Sequence, residues 1–258
     1  MKTGIVVVGS SNTDMVVKSP RLPSPGETVL GGEFVMAAGG KGANQAVAAA
    51  RLGGNVALVA RIGSDLFGEK ALENFRADGI RTDSVFCDPA AASGVALIMV
   101  GPEGENMISV ASGANARLDV EDINRAADEI EAARVVLIQL EIPLEAVTRA
   151  AELGKESGAV VILNPAPAQS LDPGILQNTT ILTPNETETE ILTGILPADN
   201  ESALAAADRL HEMGVETVII TRGAEGVLVS GRAERFTMPV FPVEAVDTTA
   251  AGDAFNGA

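Results

Sequence analysis

Five short runs rich in β-branched residues, at Ile5–Val8, 56–62, 135–140, 159–163 and Thr217–Thr221, recur along the chain, and most are apolar throughout instead of alternating. A strand with no polar face is buried on both sides. Between these runs the spacing of apolar residues predicts helices over 43–52, 67–77, 120–132, 144–157 and 202–213, with Asp119 and Asn200 placed as N-caps. Strand and helix in alternation predict right-handed crossovers and an α/β fold with a mainly parallel sheet between two helical layers. Ligands in such sheets bind at the carboxyl ends of strands.

Two segments, 13–38 and 93–112, break the rhythm, for neither carries a good helix. Short strands at 15–18, 28–36, Gly94–Val100 and 106–110 predict a small antiparallel sheet standing off the body, as a lid or a dimer surface. The α/β body is then expected from 1–12, 39–92 and 113–258.

Composition narrows the partners. Lysine and arginine total 18 against 35 acidic residues, a formal charge of -17, which repels nucleic acid and anionic membranes at long range. Neither is expected as a partner. A phosphate-bearing ligand is compatible with this charge, because helix N-termini and bound metal ions hold anions locally. With one cysteine, Cys87, the chain can form no internal disulfide, and this predicts a reducing cytoplasmic setting. No apolar stretch approaches the roughly 20 residues of a membrane-spanning helix. His211, the one histidine, falls near a predicted helix C-terminus, where a solvated or dipole-capping role is expected instead of catalysis.

Two phosphate motifs are ruled out. Gly39-Gly40-Lys41-Gly42 lacks the Ser or Thr after lysine that a Walker loop needs, and Gly9-Ser10-Ser11-Asn12 lacks the dinucleotide glycine pattern. Gly39 through Gln45 instead offers glycines for close backbone approach and Asn44 as both donor and acceptor. That suits a polyol, although a plain glycine-rich turn before a helix fits equally well. Asn12 and Asp14 follow the first strand, where they could reach a ligand or simply favour a turn. Asp247 through Gly257 reads as a small-residue loop entering a helix, an anion site with Asp253 in its first turn. An aspartate there accepts a proton from a nearby hydroxyl, or merely complements the helix dipole.

Taken in order, Gly9–Asp14, Gly39–Ala46, Ser112–Asn115, Gln139–Glu141, Asn164–Ala168, Thr183–Glu188 and Asp247–Ala258 resemble the motif series of the PfkB/ribokinase family of carbohydrate kinases, across nearly the whole chain. The resemblance implies a ribokinase-like three-layer sandwich with a β lid. It implies ATP-dependent phosphorylation of D-ribose at the 5-hydroxyl, with 2-deoxyribose or another sugar or nucleoside of that family as the alternative. By similarity, Asn12, Asp14, Gly40, Lys41, Asn44 and Glu141 bind the sugar. Asp253 is the catalytic base, beside an anion hole of the Ala250, Ala251, Gly252 and Asp253 amides. Asn185, Thr221, Arg222, Gly223 and Gly226 join Gly252 and Asp253 at ATP, with adenine between aliphatic surfaces. Glu188 organises Mg²⁺ through water, and Asp247 and Thr249 hold an activating K⁺. Lid sheets of this family imply a homodimer. Family members extend past the equivalent of Ala258, so the resemblance also implies a shortened catalytic domain, and with it the alternative of a catalytically deficient sugar-binding fragment.

Overall fold

The computed structural model describes residues 4–244 and 248–258. Its strands are β1 (Ile5–Val8), β2 (Asn12–Lys18), β3 (Glu33–Gly39), β4 (Val56–Gly63), β5 (Val85–Asp88), β6 (Gly94–Val100), β7 (Asn106–Ala111), β8 (Val135–Ile138), β9 (Val160–Leu163), β10 (Ile181–Leu182), β11 (Thr217–Thr221), β12 (Val227–Ser230) and β13 (Arg235–Met238). Nine of them form one sheet in the order β13-β12-β11-β10-β9-β8-β1-β4-β5. From β5 to β11 every pairing is parallel, and β12 and β13 add an antiparallel edge.

The central apolar strands β1, β4 and β8 are buried on both faces, as their composition requires. Val6 and Val8 pack with Ile123, Ile130, Val147 and Leu210 on one side, while Val7 packs with Ala43, Ala46, Ala49 and Phe75 on the other. These two cores make the sheet the middle of three layers. The predicted helix over 120–132 is two helices, Val120–Arg125 and Ala127–Ala132, meeting at Ala126, whose amide is shared between the Asp122 and Ile123 carbonyls. Ile123 and Ile130 still reach the same core, so the apolar pattern survives the break. Asp119 caps the first of these in a reciprocal box with Asp122. Asn200 does not cap: the helix Asn200–Glu212 is capped one residue earlier by Asp199, and Asn200 accepts a hydrogen bond from Arg222 instead.

The second sheet has the order β3-β2-β6-β7. Its two hairpins are antiparallel, and they join along a parallel seam in which Asn12 faces Gly94. The seam is parallel because β2 and β6 both enter this sheet from the body and run outward side by side. Phe34, Val35, Met36, Leu97, Ile108 and Val110 are exposed on it. Among the described residues no helix is long and apolar enough to cross a membrane.

Candidate active site

The carboxyl end of β1 delivers Gly9, Ser10, Ser11 and Asn12 to the place where the helix Lys41–Arg51 begins. The approach is tight: a Cβ on Gly42 would lie 2.6 Å from the Gly9 carbonyl carbon and the Ser10 nitrogen. Gly40, the residue before this helix, has φ +90°, and a Cβ there would lie 2.6 Å from the Asn12 nitrogen. Only glycine fits such a position without strain. Glu141, just beyond β8, locks this junction by accepting from the Ser10 hydroxyl at 2.5 Å and the Lys41 amide at 3.0 Å.

Asn12 is fixed from behind. The buried Asn115 accepts from the Ser11 amide at 2.9 Å and donates to the Ser11 carbonyl and to Asn12 Oδ1 at 3.1 and 2.8 Å. Because Asn12 Oδ1 is occupied, its NH₂ group is the part left for a ligand. Asp14 stands on β2 opposite Ala37. Burial raises its pKa above the usual 3.8, and the nearby charges of Glu141 and Asp253 push it the same way. Glu141 and Asp253 are thus within electrostatic reach of Asp14.

Asp253 lies in the first turn of the helix Ala251–Gly257, which packs against Lys41–Arg51 so closely that a Cβ on Gly257 would come within 2.6 Å of the Ala48 side chain. A helix this short is marginal alone, and here the neighbouring helix supports it. The buried Asp253 carboxylate accepts from Asn44 Nδ2 at 3.0 Å and Gln45 Nε2 at 2.9 Å. It also lines a cavity of about 220 Å³ together with Lys41, Asn185, Glu188, Thr221 and Gly252. Ala250 enters the helix at φ +58°, the one non-glycine residue with positive φ among the described residues. The Ala251 amide bonds the Thr248 carbonyl at 3.2 Å and that of Ala254 bonds Ala250. Among the described residues the Gly252 and Asp253 amides have no such backbone partner, and both residues line the cavity.

Asn185 and Glu188 form a reciprocal capping box at the start of Glu186–Thr193, which leaves one Glu188 oxygen uncommitted. Burial raises the pKa of Glu188 above its ordinary value, with Asp253 adding to the effect. Among the described residues no group of three or more His, Cys, Asp or Glu could cage a metal ion. A divalent ion held chiefly by phosphates and water needs only one or two carboxylates, and Glu188 fits that requirement. Thr221 pairs with Asn185 at the cavity rim. Gly223 and Gly226 lie in the turn after β11, away from the cavity lining, and Gly226 makes room for the Met238 carbonyl. Arg222 is buried, bonded to Asn200, with its Nε unpartnered. Asp247 lies outside the described residues, and Thr249 stands in the turn before the last helix.

His211 is partly exposed in the last turn of the helix Asn200–Glu212, as expected, and both ring nitrogens are also engaged. Nδ1 meets the Val215 carbonyl and Nε2 the Ser230 hydroxyl, each at 2.9 Å. A carbonyl can only accept, so Nδ1 carries the proton and the ring is a structural strut between helix and sheet. Sequence reasoning assigned no role to Gln45, Asn115, Gln139, Asn164, Thr183 or Asn256, though all lie in the motif stretches. Gln139, Asn164 and Thr183 each directly follow a short apolar strand and Gln45 lies in an alanine-rich helix, whereas Asn115 and Asn256 carried no such signal.

An aspartate anchored by side-chain amides at the wall of a cavity that also presents backbone amides suits transfer of an anionic group to an alcohol, the chemistry of a small-molecule kinase. The family model for pfkB family carbohydrate kinases matches residues 2–258. The ribokinase of Haemophilus influenzae is 46% identical over 257 residues, covering 100% of this chain and 84% of its own length. The deoxyribokinase of Salmonella typhi is 42% identical over 255 residues, covering 98% and 83%. Among solved structures, Arabidopsis thaliana ribokinase complexed with ribose and ATP aligns with a TM-score of 0.92 at 33% identity, covering 100% of this chain and 85% of that one. The chain belongs to the pfkB family of carbohydrate kinases.

Proposed function

We propose that the chain transfers the terminal phosphoryl group of ATP to the 5-hydroxyl of D-ribose, giving ribose 5-phosphate. The observation that carries this reading is the placement of Asp253, bonded to Asn44 and lining the cavity with Gly252. Asn12, Asp14, Gly40, Lys41, Asn44 and Glu141 bind the sugar, the carboxylates accepting hydroxyl protons and the Asn12 NH₂ donating. Asp253 takes the proton of the attacking hydroxyl, while the open amides near Gly252 face the charge that develops on the phosphoryl group. Ala250 and Ala251 shape the same turn. Asn185 and Thr221 meet the nucleotide phosphates, and the Arg222–Gly226 turn supports its far end. Mg²⁺ arriving with ATP would be oriented by Glu188 and would offset phosphate charge. K⁺ at Asp247 and Thr249 belongs to the same reading. The four-stranded sheet acts as a lid over the sugar, its exposed apolar residues support pairing of two copies, and the acidic charge and lone cysteine support a cytoplasmic setting.

The relative that phosphorylates deoxyribose supports 2-deoxyribose as the second reading. Coupled detection of ADP with ribose, 2-deoxyribose and other pentoses separates the two. A missing hydroxyl leaves a buried polar partner unpaired at a cost of about 1–3 kcal/mol. Ribose is therefore expected to exceed 2-deoxyribose in kcat/KM by about 5- to 150-fold on that scale. Preference for 2-deoxyribose would reverse the assignment, and ribose-dependent stabilisation without ADP would mark a binding protein.

Asp14 links this chemistry to stability. Its raised pKa means that the folded state holds the proton more tightly than the unfolded chain, so this group's contribution to stability falls as pH rises above 3.8. Asp14→Asn is therefore expected to melt above the wild type at pH 7 while binding ribose more weakly. The melting difference should shrink as pH approaches 3.8. Equal melting curves at both pH values would refute the strained-carboxylate account.

A further inference from the structure

Behind Asp253 lies a row of buried amides that the reaction scheme leaves unused. Gln45 and Gln139 are fully buried, and Asn164 is 7% exposed. Gln45 Nε2 donates both to Asp253 Oδ1 at 2.9 Å and to Asn164 Oδ1 at 3.1 Å, and Gln139 Nε2 donates to Gln45 Oε1 at 2.5 Å. Asn164 Nδ2 in turn donates to the Thr183 carbonyl at 3.2 Å.

The direction of this row is fixed at the Thr183 end. A backbone carbonyl only accepts, so Asn164 must turn its NH₂ there and its oxygen toward Gln45. Gln45 must then offer its NH₂ to Asn164, and its oxygen faces Gln139, which must donate. At the end of the row Gln139 Oε1 is left buried with no hydrogen-bond partner among the described residues. An orphaned acceptor of this kind calls for an explanation. It follows from the direction of the row, for Gln139 turns its NH₂ to Gln45, whose own NH₂ reaches Asp253, and the Gln139 oxygen is left facing away. Reversing Gln45 would set its oxygen against those of Asp253 and Asn164, so the row has one stable direction.

The geometry points to Gln45 as a positioning residue of the transfer reaction: through the Gln139–Gln45–Asn164 row it presents a fixed N–H that holds the Asp253 carboxylate facing the sugar hydroxyl. Gln45 itself is buried, whereas Asn44 supplies the partly exposed amide. This inference rests on Asp253 being the base. Asn44 alone grips one oxygen, and a carboxylate held at a single oxygen can swing about its side-chain torsions. Two donors on two oxygens define its plane, which is the geometry that proton abstraction needs.

The test compares Gln45→Met and Gln45→Glu with the wild type in steady-state kinetics with ribose and ATP, alongside thermal melts. Met keeps the length and removes the donor. Glu keeps the acceptor for Gln139 but sets oxygen against Asp253. Both are expected to lower kcat by about 10- to 100-fold with both KM values unchanged, because a misplaced reacting group costs rate on that scale. In an Asp253→Asn background Gln45→Met should add no further loss, since residues acting as a unit are not additive. A folded Gln45→Met or Gln45→Glu with wild-type kcat, in a protein that Asp253→Asn inactivates, would overturn the positioning role and leave Asp253 as the base. So would a fall in kcat matched by a rise in ribose KM. Should Met disrupt folding, the Glu variant decides alone. Full turnover in Asp253→Asn would instead remove the base and this inference with it.

Discussion

Asp253→Asn should fold, bind ribose with nearly unchanged affinity and lose turnover by about 10²–10⁴-fold, the range typical of a removed general base. Binding survives because Asn12, Lys41 and Glu141 are held by partners other than Asp253, while Asp14 only loses a neighbouring like charge. Glu141 is held independently by Ser10 and the Lys41 amide. The new amide is isosteric, so the helix Ala251–Gly257 keeps its packing against Lys41–Arg51, and only one of the donors from Asn44 and Gln45 loses its acceptor. Isothermal titration with ribose and single-turnover phosphoryl transfer check the two halves separately. Loss of ribose binding in step with turnover would mean that Asp253 holds the site together and does not act on the proton.

Gly40→Ala should reduce kcat/KM for ribose by about 10²-fold, the effect expected when reacting groups shift by roughly 1 Å. The backbone at Gly40 has φ +90°, a conformation that costs a residue with a Cβ on the order of 1–3 kcal/mol. The added carbon would also meet the Asn12 nitrogen at 2.6 Å and the Ser11 Cα at 2.8 Å. Both are backbone atoms and cannot rotate aside. Relief requires the Gly40–Lys41 turn to move away from β2, which takes the Lys41 amide off Glu141 and Asn44 off Asp253. Gly53 is the control, for it has nearly the same φ of +91° with nothing within 4 Å of an added Cβ. Gly53→Ala should lower the melting temperature and leave kcat/KM unchanged. Parallel behaviour of the two variants in kinetics and melting would show that the site does not depend on that close approach.

The sheet was readable from the chain because its central strands are apolar on both faces, which few other structures tolerate. Val6, Val7 and Val8 send side chains into both cores, and that demand is visible in three letters. Strands β5, β10, β12 and β13 were not visible. β10 has two residues, too few for any period, and β12 and β13 form an antiparallel edge whose half-exposed residues look like a loop. The strands of the second sheet could be located, but not their parallel seam, since that pairing joins segments 82 positions apart at Asn12 and Gly94. At the site, the sequence supplied residue types and order, and the family resemblance supplied roles. Neither supplied orientation: the Asn12 amide is turned by Asn115, and Asp253 is held by Gln45, through contacts spanning more than 100 residues. Such contacts leave no local spacing to read. Gly226 shows the converse, because its glycine is explained by the Met238 carbonyl against it as well as by any nucleotide.

A crystal structure of the protein with ribose and a non-hydrolysable ATP analogue asks the central question in one step. The account predicts the ribose 5-oxygen within about 2.6–3.2 Å of the Asp253 carboxylate and in line with the γ-phosphorus. The γ-phosphate should lie in the cavity bordered by Gly252 and Lys41. Ribose bound with its 5-hydroxyl turned away from Asp253, or the triphosphate lying outside that cavity, would contradict it.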